Sequence, residues 1–178
     1  MKQIRIVTPL TEIASRALRV GEEVLLSGVV YVARDEAHRR ITEALGRGEP
    51  PSFNMEGAVI FYAGPSPARP GKPVGAIGPT TSYRMDPYSP LLIGMGVRGM
   101  IGKGARSPEV VASMVEHGAV YFGATGGIAA LLASAVVASR VICYEDLGPE
   151  ALRELEVRDM PLIVVIDSTG GSIYRKWP

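Results

Sequence analysis

The chain contains a single cysteine, Cys143, among its 178 residues. One thiol cannot form a disulfide within the chain. It also cannot hold an iron–sulfur cluster, which takes three or four thiolate ligands. Because Cys143 lies in the apolar run 141–144, we interpret it as a small core residue of a protein from a reducing cytoplasm.

The sequence also lacks an excess of either charge and any long apolar run. Its net charge is +1, and its lysines and arginines are scattered, which argues against a nucleic-acid partner. The longest wholly apolar run, residues 128–133, is far shorter than the roughly 20 residues that span a bilayer. With 47% apolar residues, the composition is typical of a folded globular protein, and we predict one domain over residues 1–178.

Short β-rich runs alternate with helical runs, which predicts an α/β fold. The long run of Pro and Gly at residues 64–73 predicts a surface loop. Strands are predicted at residues 4–8, 24–32, 58–63, 119–122, 140–144, 161–167 and 172–174. Helices are predicted at residues 10–18, 35–46, 86–95, 107–117, 126–137 and 148–156.

Three segments place polar residues among glycines at the end of an apolar run: residues 32–38, 78–86 and 102–106. In open α/β sheets, ligands bind beyond the carboxyl ends of the strands. Arg34, Arg84 and Lys103 could therefore converge on a small dicarboxylate, with Thr80 and Thr81 as hydrogen-bonding groups. The alternative is that they are solvated cations in ordinary surface loops.

Other motifs are weaker. Residues 123–127, rich in glycine and placed before a helix, could bind an anion through backbone amides, or could serve close packing of helix on strand. No group of His, Cys, Asp and Glu has metal-ligand spacing, so the sequence predicts no metal site in this chain.

A family resemblance adds to these observations. Residues 31–41 resemble the arginine–aspartate segment of the β subunit, or C-terminal domain, of class I fumarate hydratases and L-tartrate dehydratases. Residues 78–85 resemble that family's Gly-Pro-Thr-Thr segment with its trailing Arg-Met, and residues 102–106 resemble its Lys-Gly motif. Residues 148–174 resemble its C-terminus, so the likeness covers nearly the whole chain in the same order.

The resemblance implies a swivelling β/β/α domain with a mixed sheet flanked by helices. It also implies a [4Fe–4S] cluster held by three cysteines of a larger α subunit or N-terminal domain, with one iron free to bind substrate. We therefore expect a hetero-oligomer with that α subunit, or a homodimer when the chain is alone.

The implied reaction is the reversible hydration of fumarate to (S)-malate. By resemblance, Thr80 would abstract the proton at carbon and Lys103 would be a charge partner near the reacting centre. The residues that would bind substrate are Arg34, Arg84, Thr81 and Arg106.

Two other functions stay open at this stage. The substrate could be L-tartrate or a methylated fumarate such as mesaconate, because Tyr83 stands where we expect a smaller residue. The chain could instead be a non-catalytic swivelling domain that binds an anion or a partner.

Overall fold

The computed structural model describes residues 3–124 and 129–174. Within them lie seven strands, five α-helices and two 3-10 segments. The strands are β1 (Ile4–Val7), β2 (Glu23–Val32), β3 (Val59–Phe61), β4 (Gly99–Ile101), β5 (Val120–Gly123), β6 (Val136–Cys143) and β7 (Leu152–Ile166). The helices are α1 (Glu12–Ala17), α2 (Asp35–Gly46), α3 (Ser89–Gly94), α4 (Pro108–His117) and α5 (Ala129–Ser134), and the 3-10 segments are Ser82–Met85 and Glu145–Glu150.

All seven strands belong to one mixed sheet. Strands β2, β3, β4 and β5 are parallel neighbours in that order. Strand β7 pairs antiparallel with β5 and also with β2, so these five strands close into a barrel-like sheet. Strand β1 adds to the first half of β2, and β6 adds to the first half of β7.

The closed sheet buries apolar residues on both of its faces. Side chains alternate along a strand, so Val59 and Phe61 of β3 join the core inside the sheet. Ile60 and the following Tyr62 join a second core outside it, which includes buried residues of α2, α3 and α4. Helices α2, α3 and α4 therefore cover the outer face of the parallel strands, whereas Leu132 of α5 joins the inner core.

Local signals in the sequence set several element ends. The Ser107 hydroxyl accepts a hydrogen bond from the Val110 amide at 3.3 Å and caps α4, whose first residue is Pro108. Gly118 ends the same helix in the left-handed conformation, with φ of 73°. The predicted helix over residues 107–117 is thereby confirmed.

Two predicted elements were wrong, and the end of a third was misplaced. Residues 148–156 do not form a helix: a 3-10 segment ends at Glu150 and β7 begins at Leu152. Pairing of β7 with β2 and β6 overrides the local helix propensity of this Leu- and Glu-rich run. Helix α5 ends at Ser134 rather than at residue 137, and its predicted start at residues 126–127 lies outside the described residues. The predicted strand at residues 172–174 is a single bridge between Ser172 and Ile166.

The predicted mixed sheet flanked by helices is confirmed. The swivelling-domain assignment and the single-domain extent stay predictions. Among the described residues, the helices are all too short or too polar to cross a lipid bilayer.

Candidate functional site

The carboxyl ends of four parallel strands meet at one edge of the closed sheet. Just beyond β2, the Ala33 amide donates to the Phe61 carbonyl at 3.2 Å, and beyond β3 the Tyr62 amide donates to the Ile101 carbonyl at 2.9 Å. Beyond β4, the Gly102 amide donates to the Phe122 carbonyl of β5 at 3.0 Å. Side chains that follow these strands therefore share one surface, as the sequence predicted for the three polar segments.

The threonine segment is inserted between the diverging ends of β3 and β4. The Thr80 amide donates to the Tyr62 carbonyl at 2.7 Å, and the Lys103 amide donates to the Thr80 carbonyl at 3.2 Å. The Ser82 amide donates to the Lys103 carbonyl at 2.9 Å, and Thr81 and Lys103 form a parallel β-bridge. Backbone hydrogen bonds thus bring together Thr80, Thr81 and Lys103.

The glycines beside Lys103 have a steric reason. A Cβ atom at Gly102 would lie 1.9 Å from Ser82 Oγ and 2.9 Å from Tyr62 Cδ2, far inside van der Waals contact. Gly104 has a φ of +89°, a conformation that other residues rarely adopt. Only glycine at these two places lets the threonine segment approach β4 and lets the chain turn after Lys103.

Arg34 lies between β2 and α2, at the N-cap of that helix. Its Nη1 atom is 2.9 Å from Glu150 Oε1, and its side chain is partly buried. Arg34 is thus already paired with a carboxylate of the chain, and an anionic ligand would share it or displace Glu150.

Arg84 and Lys103 are the exposed cations of this edge. Arg84 belongs to the 3-10 segment Ser82–Met85, which packs on α2, the helix that follows Arg34. Within residues 3–124 and 129–174, neither cation has an acidic side chain within ion-pair distance. Among the described residues, the edge therefore carries positive charge without an acidic partner, next to the threonine segment. Tyr83, at 61% exposure, lies next to Arg84.

Arg106 requires a correction. Its side chain is fully buried, and its Nε donates to Asp86 Oδ1 at 2.7 Å. Its Nη2 donates to Ser89 Oγ at 2.7 Å and to Tyr62 Oη at 3.2 Å. The expected role in substrate binding does not fit this geometry, because the guanidinium faces inward and its donors are used within the protein.

His38 of α2 is buried beside Arg34. Its Nδ1 is 2.7 Å from the Arg34 carbonyl oxygen, and its ring packs edge-on against Tyr62 at 5.4 Å between centroids. Burial lowers the pKa of His38 to about 4, against a weaker raising effect of the bond to Arg34. The imidazole is therefore neutral near pH 7 and donates through Nδ1, which fixes the start of α2.

The described residues do not fit an iron–sulfur cluster or another metal centre. Cys143 is half-buried on β6, and burial raises the pKa of its thiol. No cluster of three or more His, Cys, Asp or Glu side chains arranged to hold a metal occurs in the described part of the chain. The loop proposed to bind an anion, residues 123–127, lies mostly outside the described residues.

Sequence reasoning gave no role to four residues that this geometry makes important: Asp86, Glu150, Ser82 and Tyr121. Asp86 and Ser82 lie inside a segment that the sequence did identify, so their place beside Arg84 was an available signal. Glu150 follows the kink at Gly148, whose φ of 57° brings it toward Arg34. Tyr121 sits in an apolar strand, and the sequence gives no sign that its hydroxyl lies 2.7 Å from Ser82 Oγ.

Comparisons with known proteins fit these observations. A family model described as the fumarase C-terminus matches residues 1–177. Fumarate hydratase 2 of Leishmania major is 40% identical over 160 residues, which are 88% of this chain and 28% of that protein. The anaerobic class I fumarate hydratase of Escherichia coli is 34% identical over 172 residues, 94% of this chain and 31% of that protein.

A relative of different length is a candidate L(+)-tartrate dehydratase subunit beta of Methanocaldococcus jannaschii. It is 40% identical over 173 residues, which are 94% of this chain and 89% of that protein. The chain thus spans under a third of the two fumarate hydratases and most of this subunit. With a family match over nearly all of its residues and the three motifs joined at one edge of the sheet, the chain belongs to the fumarase C-terminus family.

Proposed function

We propose that this chain acts with a cluster-bearing α subunit as a hydro-lyase that interconverts fumarate and (S)-malate. The observation that supports the proposal is the bridge between Thr81 and Lys103, which sets a threonine beside a lysine that has no acidic partner among the described residues. The family's named members are hydro-lyases of small dicarboxylic acids, and this edge offers the matching chemistry.

Recognition of the diacid falls to the arginines. Arg84 is exposed and has no acidic partner among the described residues, and Arg34 lies at the same edge, paired with Glu150. A guanidinium can bind a carboxylate through two parallel hydrogen bonds, so two arginines suit the two ends of a dicarboxylate. Thr81 adds a hydroxyl to the same surface, and Arg106 stays in the scaffold beneath it.

Lys103 and Thr80 act on the reacting carbon. Removal of a proton beside a carboxylate makes negative charge grow on that carboxylate, and the Lys103 ammonium stabilises it. The Thr80 hydroxyl is assigned the proton at carbon. A free hydroxyl is a poor base, and the Lys103 ammonium has no lone pair to take a proton, so Thr80 depends on a basic group of the partner that removes its own proton as it accepts the one from carbon.

The partner completes the enzyme. Because the described residues do not fit a cluster, we assign the [4Fe–4S] cluster to the α subunit, with this chain as a swivelling β/β/α domain that closes the shared site. The length of the fumarate hydratase relatives supports this division, since this chain matches under a third of each. Closure over the cationic edge would exclude water from the reaction.

L-tartrate is the second candidate substrate. The nearly full-length match to the candidate subunit beta from M. jannaschii favours it. A mesaconate-type diacid is a third, because the exposed ring of Tyr83 borders the site and would contact a substituent on the diacid.

Anaerobic co-expression with the α subunit tests the proposal. We expect the purified complex to hydrate fumarate, the isolated chain to be inactive, and rates with (S)-malate, L-tartrate and mesaconate to rank the substrates. Lys103→Ala should abolish most turnover, and Lys72→Ala in the Pro-rich loop is the matched control. A complex that turns over none of these acids, yet binds one of them, would favour a non-catalytic anion-binding domain.

A further inference from the structure

A chain of hydrogen bonds lies beneath Lys103. The Lys103 amide donates to Ser82 Oγ at 3.0 Å, in addition to its bond to the threonine segment. Ser82 Oγ is 2.7 Å from Tyr121 Oη, and the Tyr121 hydroxyl donates to the Gly104 carbonyl at 2.8 Å. This row of hydrogen bonds thus starts at Lys103 and ends at Gly104, on the same turn.

Counting protons fixes the direction of each bond. Tyr121 has one hydroxyl proton, and the Gly104 carbonyl can only accept, so that proton goes to Gly104. The Ser82 hydroxyl must then donate to Tyr121 Oη, and its lone pair accepts the Lys103 amide proton. The Lys103 amide and the Ser82 and Tyr121 hydroxyls thus each donate one of these hydrogen bonds, and both hydroxyls have a partner as donor and as acceptor.

Both hydroxyl residues are fully buried. Burial raises the pKa of Tyr121, so its phenol keeps its proton near neutral pH. The row of hydrogen bonds is consequently intact at that pH. Its loss would leave buried polar atoms without partners, which is more costly than the loss of a surface contact.

The two residues that flank Lys103 in sequence add little restraint to the backbone bonds that it makes with the threonine segment. Lys103 stands between Gly102 and Gly104, two residues without side chains to restrict the backbone. We propose that Ser82 and Tyr121 are positioning residues. They hold the Lys103 backbone and thereby fix the position of its ammonium relative to the Thr80 hydroxyl. The consequence for turnover rests on the proposed function, whereas the consequence for the backbone does not.

The chain offers a matched pair of variants. Tyr121→Phe removes the hydroxyl that links Ser82 to Gly104. Tyr62→Phe removes another hydroxyl from a ring that is equally buried and equally close to Arg106, with 5.1 Å to its centroid against 5.0 Å. The Tyr62 hydroxyl contacts Ser89 and Arg106, and it takes no part in the chain of bonds beneath Lys103.

Two measurements compare the variants. Hydrogen–deuterium exchange on the 178-residue chain follows the amides of residues 102–106, and steady-state kinetics follow the assembled complex. In Tyr121→Phe we expect exchange of these amides to rise about tenfold. We expect kcat to fall about tenfold or more with KM nearly unchanged, because a displaced catalytic group costs turnover rather than binding. In Tyr62→Phe both quantities should stay within about twofold of the wild type, despite a similar loss of thermal stability.

Equal changes in the two variants, or a change in exchange without a fall in kcat, would overturn the proposal. If Tyr121→Phe does not fold, Ser82→Ala is compared with Ser89→Ala, another buried hydroxyl in contact with Tyr62, under the same criteria. A wild-type complex without hydro-lyase activity would refute the proposed function instead. The exchange comparison would then decide alone whether Ser82 and Tyr121 hold the turn.

Discussion

Replacement of Arg106 separates a scaffold residue from a substrate ligand. In the structure its guanidinium is fully buried and lies 2.7 Å from Asp86, whose side chain is only 13% exposed. Arg106→Met removes the charge and leaves Asp86 with the Ser107 amide as its remaining donor, at 2.8 Å. Breaking a buried ion pair by removal of one partner costs about 3–5 kcal/mol, a large part of the roughly 5–15 kcal/mol that stabilises a domain.

A double-mutant cycle refines that magnitude. Asp86→Asn removes the second charge, so the cost of Arg106→Met should be smaller in the Asp86→Asn background than in the wild type. For directly contacting partners we expect a coupling free energy of about 0.5–3 kcal/mol.

The assay is urea unfolding, with the midpoint and slope determined for each variant. Arg84→Met serves as the control, because Arg84 is exposed and its replacement should change the free energy of unfolding by at most about 0.5 kcal/mol. If Arg106→Met unfolds at the wild-type urea concentration and raises only KM in the complex, Arg106 is a substrate ligand, as the sequence suggested, and the argument from burial fails.

Further predictions concern stability, pH and turnover. Gly102→Ala should destabilise the chain by about 1–3 kcal/mol or more, measured by urea unfolding, because its Cβ would overlap Ser82 Oγ. The pKa of His38 is lowered from 6.5 in the unfolded chain to about 4 in the folded one, so between these two pH values the unfolded chain binds more protons than the folded chain. The free energy of unfolding should therefore fall by about 3 kcal/mol as the pH drops from 6.5 to about 4. His38→Phe should remove this pH dependence, and an unchanged curve would contradict it. Burial raises the pKa of Asp167, but hydrogen bonds, that from Thr169 foremost, outweigh burial, and the pKa lies below its ordinary value. Asp167→Asn should therefore lower the free energy of unfolding by about 1–3 kcal/mol at pH 7. The further fall of that free energy below about pH 4 should be shallower in this variant than in the wild type. In the complex, Lys103→Arg should recover only part of the turnover lost in Lys103→Ala, because a planar guanidinium does not replace a compact ammonium.

The sequence predicts best those elements whose signals are local. The alternation and β-branched residues of β2 and the cap and stop of α4 each lie within a few residues of the element they define. Strand β7 was misread because Leu152–Val157 has helix-forming composition, and its strand state depends on pairing with β2, far away in the chain.

The same division holds for the candidate site. That three polar segments lie at the carboxyl ends of parallel strands follows from a rule of topology, so their meeting could be anticipated. The inward turn of Arg106 toward Asp86 and the pairing of Arg34 with Glu150 could not, because each depends on a partner from a distant element. Side-chain direction in loops is set by such contacts and leaves no periodic trace in the sequence.

The closure of the sheet by β7 has a consequence for synthesis of the protein. Residues 23–32 of β2 pair along their length with residues 153–163 of β7. While the chain emerges from the ribosome, β2 therefore waits with one edge unpaired until β7 has been made, and such edges pair readily with other chains. Expression at low temperature, or with chaperones that cover exposed strands, should consequently raise the soluble yield.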